Sequence, residues 1–254
     1  MGCQAACLGF SRRLRAEDSS DWRLPFAMAK VEAASLYDAD CRRCARLSEF
    51  LDETAQAHPD YFCRPVPAFG DDRPRLLVVG LAPGLHGANR TGRPFTGDAC
   101  SDLLYGTLHR LGLASAKRSV TRDDGLLLYG CRITNAVKCL PPANKPTGAE
   151  VRQCGAFLHA EIEALKPTVI VCLGAVSHDA VLRSLNLKER GASSAEFKFA
   201  HGAEHAMGDV LGAPQWLVDS YHPSRYNVNT GRLTEEMFFE ALSRSARLAG
   251  VGHV

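Results

Sequence analysis

Three polar segments of this 254-residue chain could meet in one site, because each directly follows a predicted strand. The first is a glycine-rich loop, residues 80–98, the second begins at Asn135, and the third is His222-Pro223. The carboxyl ends of parallel strands share one edge of an open α/β sheet, where such sheets bind ligands. A carboxamide can donate and accept at the edge of a planar base, and an imidazole can stabilise charge on a leaving base. The three segments therefore predict a cavity for a polar planar ring.

The loop holds five glycines, two prolines, two arginines, one histidine and one aromatic residue. It lacks the Gly-Lys-Ser/Thr ending of a P-loop and the Gly-x-Gly-x-x-Gly spacing of a dinucleotide site. Glycine lets the backbone approach a ligand closely, arginine suits phosphate, and a phenylalanine offers a stacking face. An ordinary surface loop is the alternative. The loop residues that we predict to line the ligand site are Gly80, Leu81, Ala82, Pro83, Gly84, His86 and Phe95.

Each of these chemical candidates also has a structural interpretation. His222 could be a structural histidine, Asn135 a turn residue and Phe95 a core residue below the loop. Asp98, the nearest acid, could orient a water molecule, or it could cap the helix that begins at Ala99. The joint placement after strands favours the functional interpretation of the first three.

Four cysteines form a second candidate site. Cys41-x2-Cys44 lies on a predicted helix, and Cys139-x14-Cys154 flanks a proline-rich bend. Four thiolates can hold a structural zinc ion or a [4Fe-4S] cluster, and the spacing does not distinguish the two. Buried free thiols are the alternative, as we expect for Cys172 within an apolar strand.

Basic residues cluster on the loops that border the same sheet edge. The net charge is only +2 and the pI is about 8.1, so nucleic-acid binding requires a local patch. Such a patch predicts contacts to phosphates, although a solvated charged face is the alternative. The basic residues of these loops are Arg90, Arg93, Lys138, Lys145, Arg225 and Arg232.

Strands and helices alternate along the chain, which predicts an α/β fold. We expect a three-layer α/β/α sandwich with a mostly parallel four-stranded sheet. Thr147 and Glu150 form a capping box, and Thr234 caps the last helix. The predicted strands are 76–80, 129–135, 168–173 and 216–218, and the predicted helices start near 40, 99, 148, 175 and 233.

The N-terminal segment and the composition bear on the domain boundaries and the cellular location of the protein. We expect residues 1–36 to be a flexible extension, with Met28 as a possible true start, and residues 37–254 to form one domain. No apolar run approaches the roughly 20 residues of a membrane helix, and no secretory signal is recognisable. We therefore expect a cytoplasmic protein without a membrane partner.

Over residues 38–248 the chain resembles the iron-sulfur-containing family 5 (type b) enzymes of the uracil-DNA glycosylase superfamily. The segments that carry the resemblance are Gly80-Leu-Ala-Pro-Gly84, His86-Gly-x-Asn89-Arg-Thr-Gly-Arg-x-Phe-Thr-Gly-Asp98, Ile133-Thr-Asn-Ala-Val-Lys-Cys139, Asn144-Lys-Pro146 and Tyr221-His-Pro-Ser224.

This resemblance implies an α/β/α fold, a [4Fe-4S] cluster on Cys41, Cys44, Cys139 and Cys154, and excision of a deaminated base from double-stranded DNA. It further implies that Phe95 stacks on the flipped base, that Asn135 recognises it and that His222 stabilises the departing base anion. The backbone of residues 80–84 would line the same pocket. An enzyme of this kind would be associated with the nucleoid, and we expect it to be a monomer.

The chain departs from related families at one point that bears on mechanism. Family 1 and family 4 enzymes carry an acidic residue in or just after the first motif, where this chain has Leu81, Ala82 and Leu85. We therefore expect a dissociative step with an oxocarbenium-like sugar, and a pocket that also accepts hypoxanthine, xanthine and bulkier adducts. The alternatives are an inactive iron-sulfur protein that binds DNA or senses redox state, and a zinc hydrolase acting on free nucleosides.

Overall fold

The computed structural model describes residues 36–187, 191–208 and 214–253. The predictions about residues 1–35, including the possible start at Met28, lie outside the described residues. No helix in these described ranges is long and apolar enough to span a bilayer.

The core of the described chain is one six-stranded sheet with the strand order β1-β3-β2-β4-β6-β5. The four inner strands run parallel, and the two edge strands run antiparallel to their neighbours. The strands are β1 (Phe69–Gly70), β2 (Leu76–Gly80), β3 (Cys131–Asn135), β4 (Val169–Leu173), β5 (Glu204–Ala206) and β6 (Trp216–Ser220).

The predicted α/β fold and its four parallel strands are confirmed, but the predicted strand count of four was too low. The two additional strands are the short edges, β1 with two residues and β5 with three. Both are exposed or half-buried, so neither carries the apolar run or the alternation that identifies a strand in a sequence. The inner strands do carry such runs, because parallel strands are covered on both faces.

Helices cover both faces of the sheet. Side chains alternate along β2, so Leu76 and Val78 pack under α3 and α7, while Leu77 and Val79 pack under α1, α4 and α5. The three predicted layers are therefore present. The helices are α1 (Ala45–Ala57), α2 (Ala88–Thr91), α3 (Ala99–Arg110), α4 (Gly148–Leu165), α5 (Ala175–Ser184), α6 (Arg225–Asn229) and α7 (Glu235–Ala249).

Three of the long helices begin with the N-capping side chains that the sequence predicts. The Thr147 hydroxyl accepts from Glu150 N–H while the Glu150 carboxylate accepts from Thr147 N–H, which completes the capping box of α4. Thr234 accepts from Met237 N–H at the start of α7, and Asp98 caps α3. Each such cap stabilises its helix by about 1 kcal/mol.

Two helical features differ from the sequence predictions. The first helix begins at Ala45, so Cys41 and Cys44 precede it and Cys44 has an extended backbone. Helices α2 and α6 were not predicted, because four and five residues are too few to show a helical period.

The strand register brings the three predicted segments together. Gly80 at the end of β2 lies beside Asn135 at the end of β3. On the other side of β2, Leu173 of β4 pairs with Ser220, which ends β6 and leads into His222 two residues later. The carboxyl ends of β2, β3 and β6 therefore open on one edge of the sheet.

Candidate functional site

A cavity of about 380 Å³ lies at this edge. Most of the predicted ligand-site residues line it, but Gly80 and Pro83 do not. Pro83 is buried in the loop, and Gly80 lies directly behind two lining side chains. The predicted residues that line the cavity are Leu81, Ala82, Gly84, His86, Phe95, Asp98, Asn135, His222 and Arg225.

Gly80 makes room for Asn135 and Phe95. A Cβ atom at Gly80 would lie 2.4 Å from Asn135 Oδ1 and 2.6 Å from the Phe95 ring, closer than real Cβ contacts. Phe95 itself has φ +50, a conformation that costs free energy in a residue other than glycine. The Tyr105 hydroxyl, donating to Pro94 O at 3.0 Å, holds the backbone next to it. The packing therefore places the ring and the carboxamide side by side.

Asn135 is buried, with 3% of its surface exposed, yet its Oδ1 atom has no hydrogen-bond partner among the described residues. An unpaired buried acceptor costs about 1–3 kcal/mol. Since Asn135 lines the cavity, a ligand with a polar edge could satisfy this atom.

His222 lines the same cavity, with its ring centroid 5.7 Å from that of Phe95 and the planes tilted by 31°. Burial lowers the pKa of His222 to about 4, because a charged imidazolium would lose its hydration there. The imidazole is therefore neutral at pH 7 and presents one N–H donor and one acceptor nitrogen.

Asp98 has two environments, one for each carboxylate oxygen. Oδ1 accepts from the backbone N–H groups of Cys100 and Ser101 at 3.0 and 3.1 Å, so the predicted cap of α3 is present. Oδ2 lies against Gly87, where a Cβ would come within 2.1 Å of it. Burial raises the pKa of Asp98, and the backbone hydrogen bonds from Ser101 and Cys100, followed by the charge of Arg225, partly oppose this shift. The cap does not use the whole carboxylate.

Two of the predicted DNA contacts are corrected by the structure. The guanidinium of Arg93 is buried, donates to Asp124 at 2.7 Å and lies 4.3 Å from the Phe69 ring centroid. Lys138 is 2% exposed, and its ammonium group lies 3.1 Å from the Glu161 carboxylate. Both cationic side chains are buried and paired with carboxylates of the protein itself, so neither is accessible to a phosphate.

The other predicted cations are more accessible. Arg90 donates to the carbonyls of His86 and Gly97 and thus stabilises the loop. Arg225 is exposed beside the cavity, and exposed Arg232 lies 4.5 Å from the ring centroid of Tyr221. Of these three arginines, Arg225 is the one that lines the cavity.

The four predicted ligand cysteines line one small cavity of about 20 Å³, formed by the segment before α1, the bend after β3 and α4. They make no disulfide. Burial, with smaller contributions from the neighbouring cysteines, raises the pKa of Cys139 to about 12, because a thiolate there would lose hydration and be repelled by other thiolates. A metal centre is the usual way to hold such a group of cysteines as thiolates.

A second group of potential metal-ligating side chains, on β4, α5 and β6, was not predicted. Atoms of Cys172, His178 and Asp219 lie within 4.8 Å of one another, so this buried group could hold a metal ion. Both ring nitrogens of His178 already have partners, Asp219 Oδ1 at 2.8 Å and Phe197 O at 3.0 Å. Hydrogen bonding thus accounts for His178 and Asp219 without an ion.

Several lining residues were missed by sequence reasoning. Cys100 and Ser224 each lie two positions after a predicted site residue, so proximity in the chain could have indicated them. Asn144 reaches the cavity from the bend after β3, and its place in the Asn144-Lys-Pro146 segment that carries the family resemblance could have indicated it.

Comparison with known proteins identifies the family of this chain. The model of the uracil DNA glycosylase superfamily matches residues 67–245. The type-5 uracil-DNA glycosylase of Thermus thermophilus is 45% identical over 83% of this chain and 94% of its own length. That of Pyrobaculum aerophilum is also 45% identical, over 83% of this chain and 90% of its own. The type-4 uracil-DNA glycosylase of Archaeoglobus fulgidus is 37% identical over 63% of this chain and 70% of its own. The chain therefore belongs to the uracil DNA glycosylase superfamily and, within it, to the type-5 uracil-DNA glycosylases.

Proposed function

We propose that this protein is a monofunctional glycosylase that hydrolyses the N-glycosidic bond of uracil flipped out of double-stranded DNA, the first step of base excision repair. The observation that carries the proposal is the meeting of Asn135, Phe95 and His222 around one cavity at the sheet edge. Curated relatives with 42–45% identity bear the name uracil-DNA glycosylase.

Base recognition is assigned to Asn135 and Phe95. The edge of uracil presents an N–H group beside carbonyl oxygens, and a carboxamide can pair with both kinds of group. The unpartnered Oδ1 of Asn135 would accept the base N–H, which removes the cost of leaving this atom buried and unpaired. The Phe95 ring beside it would stack on the base.

His222 is assigned to the leaving base. When the glycosidic bond breaks, its electron pair moves to the base, and the negative charge is shared with the carbonyl oxygens. A neutral imidazole N–H can donate to such an oxygen, and this hydrogen bond strengthens as the charge develops. The sugar carbon then takes the oxygen of a water molecule, whose proton is released. Asp98 Oδ2, which the cap does not use, is our candidate for orienting that water.

The substrate range is proposed to extend to hypoxanthine, xanthine and etheno adducts. The cavity volume of about 380 Å³ lies within the usual range of ligand sites, about 300–1,000 Å³. Its walls include small residues, Ala82, Gly84, Ala88 and Ala99, which leave space beside a pyrimidine.

A [4Fe-4S] cluster is proposed on Cys41, Cys44, Cys139 and Cys154. Tetrahedral zinc with zinc–sulfur bonds of about 2.3 Å needs sulfur atoms about 3.8 Å apart. Within the described ranges, no three of these sulfurs form a donor group within 4.8 Å. The wider spacing favours a cluster over one ion. When bound, the cluster supplies iron–thiolate bonds that tie the segment before α1 to α4, which is a structural role.

DNA is proposed to lie over the cavity mouth, with Arg225 and Arg232 on its phosphates and Arg90 at the rim. Tyr226, which is 71% exposed on α6 beside Arg225, would occupy the space that the flipped base leaves. Residues 37–254 would act as one domain, and the monomeric state stays a prediction.

Base release under single-turnover conditions tests the proposal. The substrates are duplexes with one uracil or one hypoxanthine, and the variants are Asn135→Ala and His222→Ala with Asn229→Leu as control. We expect each site variant to lose about 10²-fold or more in rate and the control to remain near wild type. DNA binding without base release by the wild-type protein would favour the inactive alternative, and release from free nucleosides alone would favour the nucleoside hydrolase.

A further inference from the structure

The orientation of His222 is set without a hydrogen bond to its ring. Among the hydrogen bonds of the described residues, His222 takes part through its backbone carbonyl and not through a ring nitrogen, and burial is the cause of its lowered pKa. The ring packs beside Phe95, and its Cβ atom lies over Gly174. A side chain held only by packing points where its backbone directs it. The backbone on either side of His222 therefore decides where its N–H group points.

On the amino side, His201 holds the backbone. The amide N–H of Tyr221 donates to His201 Nδ1 at 3.1 Å, and the two rings stack with centroids 5.0 Å apart and planes at 17°. Because a backbone N–H is only a donor, Nδ1 of His201 must be unprotonated. Arg232 lies over the Tyr221 ring as well, which adds a cation–π contact.

On the carboxyl side, Asn227 holds the backbone. Its Nδ2 atom donates to the carbonyl of His222 at 2.8 Å. Asn227 is itself fixed in α6, since its own N–H donates to the Ser224 hydroxyl at 3.3 Å and its carbonyl accepts from Leu233 N–H at 3.0 Å. Helix α6, which follows His222 in the chain, thus holds the carbonyl group of His222 through Asn227.

We propose that Asn227 and His201 are positioning residues that aim the imidazole of His222 at the leaving base. They hold the backbone at the carbonyl of His222 and at the amide of the residue before it. The inference rests on the role proposed above for His222. Helix α6 would thus contribute to catalysis through Asn227, and the segment before β5 would contribute through His201.

The test combines charge-neutral variants with a double-mutant cycle. Asn227→Leu keeps the approximate size of the side chain and removes the donor, while His201→Phe keeps a stacking ring and removes the acceptor. Asn229→Leu makes the same exchange on the same helix at an exposed position without contact to His222. Single-turnover uracil release and the Kd for uracil duplex are measured for each variant, alone and combined with His222→Ala, beside thermal unfolding.

We expect Asn227→Leu and His201→Phe each to slow release about tenfold or more while Kd changes less than twofold, with Asn229→Leu unaffected. In the His222→Ala background both losses should shrink to less than twofold, because positioning has no effect once the imidazole is gone. Losses that persist in that background, or release within twofold of wild type in both single variants, would overturn the positioning role. Full activity of His222→Ala would instead overturn the proposed role of His222.

Discussion

The replacement Gly80→Ala adds one methyl group behind the base-binding residues. Its Cβ would lie 2.4 Å from Asn135 Oδ1 and 2.6 Å from the Phe95 ring, whereas ordinary contacts begin at 3.4 Å. The backbone of Gly80 is not in the positive-φ region, so alanine meets no conformational barrier there. The effect of the variant should therefore come from displacement of these two side chains.

The size of the effect follows from these distances. To accept the methyl group, the Asn135 oxygen must move by about 1 Å and the Phe95 ring by about 0.8 Å. A misplacement of about 1 Å in an active site can cost about 10²-fold in rate. Overpacking of this kind also destabilises a protein by about 1–3 kcal/mol. We expect the rate of base release to fall about 10²-fold with the protein still folded.

The assay is single-turnover uracil release from duplex DNA, with thermal unfolding measured in parallel. The affinity for undamaged duplex should stay within twofold of wild type, because phosphate contacts dominate it. Gly106→Ala is the matched control, since nothing lies within 4 Å of its added Cβ on α3. In a helix interior this exchange should stabilise by about 0.5–1 kcal/mol. A Gly80→Ala enzyme with wild-type rate and stability would refute the assignment of Asn135 and Phe95.

Three further predictions concern charge and metal. The pKa of His222, about 4, lies below its unfolded value, so its NMR titration should show a neutral ring down to about pH 5. As the pH falls, His222 takes up a proton in the unfolded state before it does so in the folded state. The contribution of neutral His222 to stability should therefore be complete above about pH 6.5 and lost between about pH 6.5 and pH 4. A titration midpoint of His222 near pH 6.5 in the folded protein would contradict this. Arg93→Met should lower the unfolding free energy by about 2 kcal/mol through loss of the charge-assisted hydrogen bond to Asp124 without changing the salt dependence of DNA binding, whereas Arg225→Ala should reduce that dependence by about one phosphate contact. Cys139→Ala should lose iron, measured by absorbance and metal analysis, and soluble yield before chemistry; a folded, active, iron-free variant would contradict the structural role.

The inner strands and the capped helices could be predicted from local patterns. Residues 76–80 form an apolar run that only a strand covered on both faces would bury, and Thr147 and Glu150 define a helix start within four residues. The edge strands β1 and β5 could not be predicted, because their few residues pair through the backbone and carry no apolar pattern. The start of α1 was misplaced, because cysteines that line the four-thiol cavity also fit a helical period.

Charge was the least predictable property of the site. Arg93 and Lys138 carry the same charge and loop context as Arg225, yet their own side chains are buried and pair with carboxylates. Their partners Asp124 and Glu161 are 31 and 23 positions away, so no local pattern could reveal the pairing. The sequence also left undecided whether Asp98 caps α3 or faces the cavity. In the structure one carboxylate oxygen caps α3 and the other lies against Gly87.

By itself, the sequence determined which residues could take part in the chemistry, because apolar runs, caps and motif spacing place Asn135, Phe95 and His222 after strands. Only the tertiary structure decided how those residues behave. The neutral state of His222 depends on burial by distant segments, the unpaired oxygen of Asn135 depends on the register of β2 against β3, and the aim of His222 depends on Asn227 and on a histidine far back in the chain. Desolvation and hydrogen bonding act through space, and the local pattern of a chain carries no record of which distant groups will meet.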